Sequence, residues 1–416
     1  MNTRLQALVA VASDVPYYRD LFRGAGIDPA TIRSVEDLAR VPLTSKADLR
    51  AGFPDRTTAH AVPSQRRRAM RTSGSTGLPF NFYWDRACAD ELFGTYLSCL
   101  EWAGAGLWDT HVAVAVPATF ASNPDPPSPT RRWARRLAFG EQVIRLSAID
   151  VTTQDFVDVV GGLRDRGYFI RAYPSALAHL AARLVHEDRP LPRYPAVVIT
   201  YGETLTETNA AHIAEVFRCR VVNNYTSWDI PLIAQTCPDN PRMLHVNSDR
   251  VIVRIVRPDG TPAPRGESGR VAVTDLGNQV MPFINYLLGD RAVDAGWCDC
   301  GRGWPALASV DGRDTEVIET PSGARVSGVM LGHYLTFVAG VVPYVWEYQA
   351  VQVAPSAVCL RIVPTARFSE EFARLLVGHV EKLLGGGVLT TVEVVDHIPT
   401  ETSGKRLIIK PLARSA

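Results

Sequence analysis

The spacing of hydrophobic positions changes along the chain and divides it into regions of different character. Between residues 110 and 223, short β-branched runs alternate with longer segments whose apolar residues recur at helical spacing. Predicted strands lie at 111–116, 168–172, 196–200 and 219–223, and predicted helices at 154–166, 175–186 and 207–217. Strand and helix in alternation are typical of a largely parallel sheet covered by helices.

The pattern after residue 250 is different. Two β-branched runs, 251–257 and 270–274, are separated by Gly- and Pro-rich segments, which predicts antiparallel strands joined by turns. Beyond residue 315, strands predicted at 346–353, 358–363 and 391–395 combine with helices predicted at 329–337 and 369–384. We therefore predict an α/β protein with a large N-terminal α/β domain that includes a β-rich subdomain, residues 1–314, and a small C-terminal α+β domain, residues 315–416.

Composition and charge narrow the function classes. The chain has 44 Lys and Arg against 43 Asp and Glu, so its net charge of +1 gives no general electrostatic reason to bind nucleic acid or an anionic membrane. The first residues lack the long apolar core of a signal peptide, and no run reaches the roughly 20 apolar residues that span a bilayer. We therefore expect a cytoplasmic protein whose seven cysteines do not form disulfides.

A basic cluster follows the Pro-rich stretch at 123–129 and consists of Arg131, Arg132, Arg135 and Arg136. It is either a solvated loop that leads into a helix or a docking patch for a phosphate-bearing partner.

The most informative short segment is a run of hydroxyls and glycines. It comprises Thr72, Ser73, Gly74, Ser75, Thr76 and Gly77. Glycines allow backbone N–H groups to turn toward an anion and the hydroxyls add donors, so the run suits a polyphosphate. The Gly-Lys-Ser/Thr ending of a Walker loop is missing, and a flexible turn is the alternative interpretation.

At this point the sequence resembles a known family. The run at 72–79, Thr-Ser-Gly-Ser-Thr-Gly-Leu-Pro, is similar to the phosphate-binding loop of adenylate-forming ligases. The segments Val-Pro-Tyr-Tyr-Arg at 15–19 and Pro-Leu-Thr-Ser-Lys-Ala-Asp-Leu-Arg at 42–50 resemble segments of the phenylacetate-coenzyme A ligase branch. Near the end, Ile-Pro-Thr-Glu-Thr-Ser-Gly-Lys-Arg at 398–406 is similar to the family's terminal Ser-Gly-Lys loop. The resemblance implies the adenylate-forming enzyme fold, with a C-terminal domain that moves as a lid.

Two further segments resemble family motifs that contact the nucleotide. Tyr-Gly-Glu-Thr at 201–204 is similar to a turn beside the adenine, and Asn-Asn-Tyr-Thr-Ser-Trp-Asp at 223–229 occupies the place of the family's Tyr-Gly-x-Thr-Glu. The resemblance implies nucleotide contacts from Gly202, Glu203, Thr204, Asn224, Tyr225 and Thr226.

In this comparison Tyr225 stacks on adenine, and Asp229 replaces the glutamate that holds Mg²⁺. Trp228 departs from the family's threonine, which removes a phosphate contact. Tyr201 and Trp228 are expected to line the acyl pocket, where aromatic side chains suit a planar, aromatic acid.

The remaining family motifs lie further along the chain. Asn-Tyr-Leu-Leu-Gly-Asp at 285–290 resembles Arg-Tyr-x-Thr-Gly-Asp, which implies that Asp290 holds the ribose hydroxyls, although Asn285 and Leu288 depart from the pattern. The segment at 310–316 resembles the hinge motif, which implies that Arg313 contacts the nucleotide and that Thr315 lies at the domain pivot.

Lys405 is the residue to which the resemblance assigns adenylation. When a carboxylate oxygen attacks the α-phosphate of ATP, negative charge grows on the phosphoryl oxygens and on the leaving pyrophosphate. An ammonium brought there by a mobile loop stabilises this transition state more than the ground state.

The implied activity is ATP- and Mg²⁺-dependent conversion of a small carboxylic acid to acyl-AMP, followed by transfer to the thiol of coenzyme A. Two alternatives stay open. The acceptor is instead an amine or a carrier-protein thiol, or the chain is a degenerate nucleotide-binding module, as the departures at Trp228, Asn285 and Leu288 suggest. Homodimer formation is also left open.

Four residues on either side of the β-rich segment have side chains that can bind a metal ion: Cys237, His245, Cys298 and Cys300. Three thiolates and one imidazole satisfy tetrahedral Zn²⁺ and leave no open position, so we expect a structural site, and a similar pattern occurs in the branch that the chain resembles. Unrelated buried cysteines are the alternative. The other cysteines are predicted to be small core residues: Cys88, Cys99, Cys219 and Cys359.

Overall fold

The computed structural model describes the chain with internal gaps. The described residues are 1–71, 80–106, 108–115, 143–147, 151–163, 167–313, 316–321, 325–328, 331, 334–335, 339–341, 343–385, 387–399 and 407–412. Several predictions fall outside them: the phosphate loop at 72–77, the arginine cluster at 131–136, Thr315, Lys405 and most of the predicted helix at 329–337.

The chain begins with two helices that pack on the β-rich part of the molecule. Helix α1 spans Asn2–Asp14 and helix α2 spans Pro16–Gly24, which begins with proline at its first turn. The apolar face of α1, with Leu5 and Leu8, is fully buried in a cluster that also contains Ile252 and Ile284. The amphipathic start of the sequence is therefore a core-forming helix.

Two further helices frame the site. Helix α3, Lys46–Gly52, begins with a capping box in which the Ser45 hydroxyl accepts from the Asp48 N–H and the Asp48 carboxylate accepts from the Ser45 N–H. Helix α4, Arg86–Ala103, ends at Gly104 in the left-handed conformation. Between them, β1 (Arg68–Arg71) and β2 (Asn81–Trp84) form an antiparallel pair.

The centre of the protein is one sheet of eleven strands in the order β10-β11-β12-β13-β9-β8-β7-β6-β5-β3-β4. Its parallel part contains β3 (Thr110–Ala115), β4 (Val143–Ser147), β5 (Tyr168–Ala172), β6 (Val197–Tyr201) and β7 (Arg220–Tyr225). The helices that accompany these strands are α5 (Thr153–Gly161), α6 (Pro174–His186) and α7 (Glu207–Phe217). The predicted alternation of strand and helix is confirmed, and its apolar residues form a core between sheet and helices.

The sheet continues without a break into an antiparallel part. This part contains β8 (Ala234–Thr236), β9 (Leu244–Val246), β10 (Val251–Val256), β11 (Ser268–Asp275), β12 (Tyr286–Trp297) and β13 (Pro305–Arg313). The two predicted antiparallel strands are confirmed as β10 and β11. The long strands β12 and β13 were not predicted, because glycines and charged residues interrupt their alternation and bulges shift their register.

The C-terminal part has its own sheet and core. Strands β14 (Val317–Glu319) and β15 (Arg325–Ser327) pair with each other, and β16 (Val345–Ala354), β17 (Ala357–Pro364), β18 (Leu389–Val394) and β19 (Ile409–Lys410) form a four-stranded sheet in the order β18-β17-β16-β19. Helix α8, Glu370–Leu384, buries Leu376 and Val380 against this sheet. Among the described residues, no helix combines the length and apolarity needed to cross a membrane.

Candidate functional site

The predicted site residues gather where the parallel part of the sheet gives way to the antiparallel part. Strands β6 and β7 run parallel and end at Tyr201 and Tyr225, whereas β8 returns antiparallel to β7. Ligands of α/β sheets bind beyond the carboxyl ends of parallel strands, where such a change of order leaves a crevice. Gly202 starts one of these loops with φ of +80°, and a Cβ there would lie 2.7 Å from the ring of Tyr173, so only glycine fits.

The loop after β7 holds Asp229 in a buried position. Its turn is closed by the Ser227 hydroxyl, which accepts from the Ile230 N–H at 3.0 Å. The side chain of Asp229 is 3% exposed, and its Oδ2 accepts a hydrogen bond of 2.6 Å from the Tyr286 hydroxyl and lies 3.0 Å from Nζ of Lys46. Burial acts to raise the pKa of Asp229, but Lys46 and the hydrogen bonds outweigh it, so this pKa is lowered and the carboxylate stays ionised.

Lys46 reaches Asp229 because the segment before α3 pairs with strand β12. Thr44 forms a parallel bridge with Tyr286, its N–H donates to the Asn285 carbonyl at 3.0 Å, and its own carbonyl accepts from Leu287 at 2.9 Å. The ammonium of Lys46 also lies 5.5 Å from the ring centroid of Phe80. Lys46 was not predicted as a site residue, although the Pro-Leu-Thr-Ser-Lys run that carries it was noted as a family segment.

A second group joins three predicted nucleotide contacts. Asp290 on β12 lies directly opposite Arg313 on β13, with 3.7 Å between Oδ1 and Nε, and the Tyr225 hydroxyl donates to Asp290 Oδ2 at 2.8 Å. Burial and the negative charge of Asp290 raise the pKa of Tyr225. For Arg313, burial acts to lower the pKa, and the charge of Asp290 outweighs it and raises this pKa. The structure thus brings Tyr225, Asp290 and Arg313 together.

The other predicted contacts have varied surroundings. Glu203, Thr204, Thr226 and Trp228 are half-buried around the same crevice. Asn224 is buried, and its Oδ1 has no hydrogen-bond partner among the described residues. A buried acceptor without a partner is costly, which favours a ligand donor at this position.

Asn285 and Leu288 have structural roles. Asn285 has φ of +48°, and its amide donates to the carbonyls of Leu38 and Val41 at 2.8 Å each, while its Oδ1 accepts from Arg254 at 3.1 Å. Leu288 packs in the core with Phe80. These two departures from the family pattern therefore attach the N-terminal segment and fill the core.

Tyr201 belongs to an aromatic and cationic group that the sequence did not predict. The guanidinium of Arg171, on β5, lies 5.0 Å from the ring centroid of Tyr96 and 4.8 Å from that of Tyr201. The ring of Tyr173 lies 5.1 Å from that of Tyr201. Burial raises the pKa of Tyr201 to about 12, so its hydroxyl is neutral at physiological pH. The signal available in the sequence was one arginine in the otherwise apolar strand Tyr-Phe-Ile-Arg-Ala.

The predicted metal ligands form a compact cluster. Cys237 follows β8, His245 lies on β9, and Cys298 and Cys300 follow β12, with all four ligand atoms within 4.8 Å of one another. The Sγ atoms of Cys237 and Cys298 are 3.9 Å apart, far beyond a disulfide bond and near the separation of about 3.8 Å that two thiolates have on one tetrahedral Zn²⁺. His245 Nε2 lies 3.2 Å from Cys300 Sγ. The geometry fits one tetrahedral ion.

The remaining cysteines divide into two kinds. Cys88 and Cys99 are buried, as predicted. Cys219 is half-buried and packs against the core of the parallel part, whereas Cys359 is half-buried outside any core cluster of the described residues and its prediction as a core residue is wrong. Cys359 faces Glu393 on β18, because alternate residues of β17 point to the face of the sheet away from the core.

Comparison with known proteins identifies the relationships of the chain. A family model described as the CapK C-terminal domain matches residues 318–411. The phenylacetate-coenzyme A ligase of Thermus thermophilus is 27% identical over 357 residues, which cover 82% of this chain and 75% of that protein. The predicted resemblance to phenylacetate-coenzyme A ligases is confirmed.

Solved structures agree on the fold. A 2-hydroxyisobutyryl-CoA ligase in complex with R3-HIB-AMP has a TM-score of 0.78 at 20% identity, with 98% of this chain and 88% of that chain covered. The amide bond synthetase McbA from Marinactinospora thermotolerans has a TM-score of 0.59 at 20% identity, with coverage of 86% and 70%. The predicted adenylate-forming fold is confirmed.

Proposed function

We propose that this relative of the phenylacetate-coenzyme A ligases is an AMP-forming acid–thiol ligase. It converts a carboxylic acid and ATP to acyl-AMP and pyrophosphate, and then transfers the acyl group to coenzyme A. The observation that carries this proposal is that Tyr225, Asp229 and Asp290 converge on one crevice. These residues come from sequence motifs that follow one another along the chain in the family's order.

The crevice has suitable partners for the nucleoside part of ATP. Asp290 is held between Tyr225 and Arg313, which fixes its carboxylate as an acceptor for the two ribose hydroxyls. The unpaired Oδ1 of Asn224 suits a donor such as the exocyclic amine of adenine. Burial of these polar groups strengthens each contact, because water competes less for them.

Lys46 and Asp229 are proposed to face the triphosphate of ATP, the first as a cation and the second as a ligand of Mg²⁺. Lys46 places an ammonium beside the buried Asp229, and both can meet a triphosphate with its counterion. Asp229 is ionised, which is the state that Mg²⁺ requires of a carboxylate ligand. Bound Mg²⁺ would neutralise charge on the phosphate oxygens, and the loop at 72–77 is proposed to supply their hydrogen-bond donors.

The first chemical step requires a cation at the α-phosphate, and we assign this role to Lys405. A carboxylate oxygen of the acid forms a bond to phosphorus as the bond to pyrophosphate breaks. Lys405 precedes strand β19, which pairs with β16, and the Leu407 carbonyl accepts from Gln349 at 2.9 Å. These contacts attach the residues that follow Lys405 to the C-terminal sheet, which supports the proposal that residues 315–416 move as a lid and carry Lys405 with them.

In the second step the thiolate of coenzyme A attacks the acyl carbon and AMP leaves. An amine acceptor is the second candidate, because a structural neighbour is an amide bond synthetase. A carrier-protein thiol and the arginine cluster as its docking patch remain predictions. Separate reactions of the acyl-adenylate with coenzyme A, free amines and a carrier protein distinguish these acceptors.

The cysteine and histidine cluster is proposed to hold one structural Zn²⁺. Its four ligands come from three places in the antiparallel part of the sheet, so the ion would join β8, β9 and the end of β12. Because all four positions of a tetrahedral ion are taken, it would contribute to stability and not to catalysis.

The proposal is tested by carboxylate-dependent ATP–pyrophosphate exchange. We expect exchange with at least one member of a broad panel of aryl and alkyl acids, and a fall of about a hundredfold or more in Lys405→Ala. The matched control is Lys382→Ala, which removes an exposed lysine of α8 from the same domain and is expected to retain activity. Binding of ATP without exchange for any acid would instead support the degenerate module.

A further inference from the structure

Arg171 is held in a fixed orientation between two aromatic rings. Tyr96 comes from helix α4 and Tyr201 from the end of β6, and their centroids lie 5.0 and 4.8 Å from the guanidinium carbon. Such contacts attract the cation and restrict the orientation of the guanidinium plane. The side chain therefore has few rotamers left to lose when it binds a ligand.

One hydrogen-bond donor of Arg171 has no partner within the described part of the chain. Its Nε atom is buried and has no hydrogen-bond partner there. The ion pairs found among the described residues also include no carboxylate for Arg171. An unmet buried donor on a charged group costs more than a neutral one, so the position favours an anionic ligand.

A second arginine lies at the same level of the sheet as Arg171. Arg145 on β4 and Arg171 on β5 both align with Ala113 of β3, so the two arginines lie at the same level of the sheet. Both side chains alternate to the same face, since in parallel strands residues at equal register point alike.

The position of Arg171 also relates it to the acid. It lies next to the end of its strand and contacts Tyr201, whose successor Gly202 opens the loop at the crevice. Tyr201 was predicted to line the acyl pocket. Arg171 therefore contacts a residue that is expected to line that pocket.

We propose that Arg171 binds a second carboxylate of the acid, so that the preferred substrates are dicarboxylic acids. This inference depends on the proposed function, because the first carboxylate is the one that becomes adenylated. The second would accept two hydrogen bonds from the edge of the guanidinium, the geometry that arginine forms with carboxylates.

Matched acids in ATP–pyrophosphate exchange provide the test. Each pair shares a skeleton and differs by one carboxylate: phenylacetate with 4-carboxyphenylacetate, benzoate with isophthalate, and butyrate with glutarate. We expect the wild type to have a kcat/KM at least about tenfold higher for the dicarboxylic member of one or more pairs. In Arg171→Gln this value should fall about a hundredfold, while that of the monocarboxylic member changes less than about threefold.

Two further variants separate recognition from folding. Arg171→Lys keeps the positive charge but loses the planar guanidinium that can donate two parallel hydrogen bonds. It should therefore retain part of the preference for dicarboxylic acids even if Arg171→Gln folds poorly. Arg218→Gln is the matched control, because Arg218 also stacks on a tyrosine, Tyr194, at 4.7 Å but lies outside the crevice.

The outcomes are distinguishable. Wild-type preference for the monocarboxylic member of every pair would overturn the role of Arg171 while leaving the ligase proposal intact. An equal loss for both members in Arg171→Gln and Arg171→Lys would show that the arginine is structural. Absence of exchange with every acid would overturn the proposed function and this inference with it.

Discussion

The Nζ atom of Lys46 lies 3.0 Å from Oδ2 of Asp229, although the two residues belong to distant parts of the sequence. The contact joins the N-terminal helices to the loop after β7, and Tyr286 completes it with a hydrogen bond to the same oxygen. A structural link and a predicted metal ligand thus coincide in one carboxylate.

Removal of the cation should destabilise the protein. In Lys46→Met the buried Asp229 keeps only its hydrogen bonds, and breaking a buried pair leaves a charge without compensation. Because the Lys46 side chain is 31% exposed, we expect a loss of about 1–3 kcal/mol, less than for a fully buried pair. Urea unfolding at neutral pH measures it. An unchanged midpoint would contradict the prediction, and Lys382→Met on the surface is the control.

The contribution of Asp229 should depend on pH. Its pKa is lowered in the folded state, because Lys46 and the hydrogen bonds outweigh burial. A lowered folded pKa adds stability above the unfolded value of about 4 and loses it as the pH falls through the folded value. The difference in unfolding free energy between wild type and Asp229→Asn should therefore shrink on acidification from neutral pH to below about 4. A difference that does not vary with pH would show that ionisation of Asp229 is not its source.

The hydroxyl of Tyr225 should matter for ATP. Tyr225→Phe keeps the ring but removes the hydrogen bond of 2.8 Å that orients Asp290. A loss of about 1 kcal/mol corresponds to a rise of about fivefold in the KM for ATP. Exchange assays at varied ATP measure this, with Tyr194→Phe, away from Asp290, as control. If kcat fell while the KM for ATP stayed constant, Tyr225 would act in another way.

Zinc bound by the cysteine and histidine cluster should be detectable by elemental analysis and by its effect on thermal stability. Protein purified without chelator should contain about one zinc per chain, and Cys298→Ser should lower both the zinc content and the thermal midpoint. Cys359→Ser is the matched control, because Cys359 lies away from the cluster. Well under one zinc in the wild type, or unchanged stability of Cys298→Ser, would count against the site.

Asn285 allows backbone and side-chain effects to be separated. Both Asn285→Gly and Asn285→Ala lose the amide contacts to Leu38 and Val41, but only alanine also meets the cost of the left-handed backbone at φ of +48°. We expect both variants to be destabilised and alanine by about 1 kcal/mol more. Denaturant unfolding compares them. Equal midpoints for the two variants would exclude a backbone contribution.

Local patterns in the sequence determined much of the architecture. Strands β3 and β5 to β7 and helices α6 and α7 were predicted within a few residues, because their side-chain periods are properties of each segment alone. The cysteine and histidine cluster was predicted as well, because cysteine and histidine side chains can bind a metal in any local backbone structure. The resemblance to adenylate-forming ligases likewise rested on short ordered motifs.

Tertiary structure alone decided which distant residues meet. Nothing near Lys46 in the sequence indicates that Thr44 pairs with Tyr286, and this pairing brings the ammonium to Asp229. Arg171 is the one charged residue of an apolar strand, and only the register of β5 beside β6 places it against Tyr201. Such contacts depend on strand order and register, which arise from packing of the whole sheet and leave no periodic signal in any one segment.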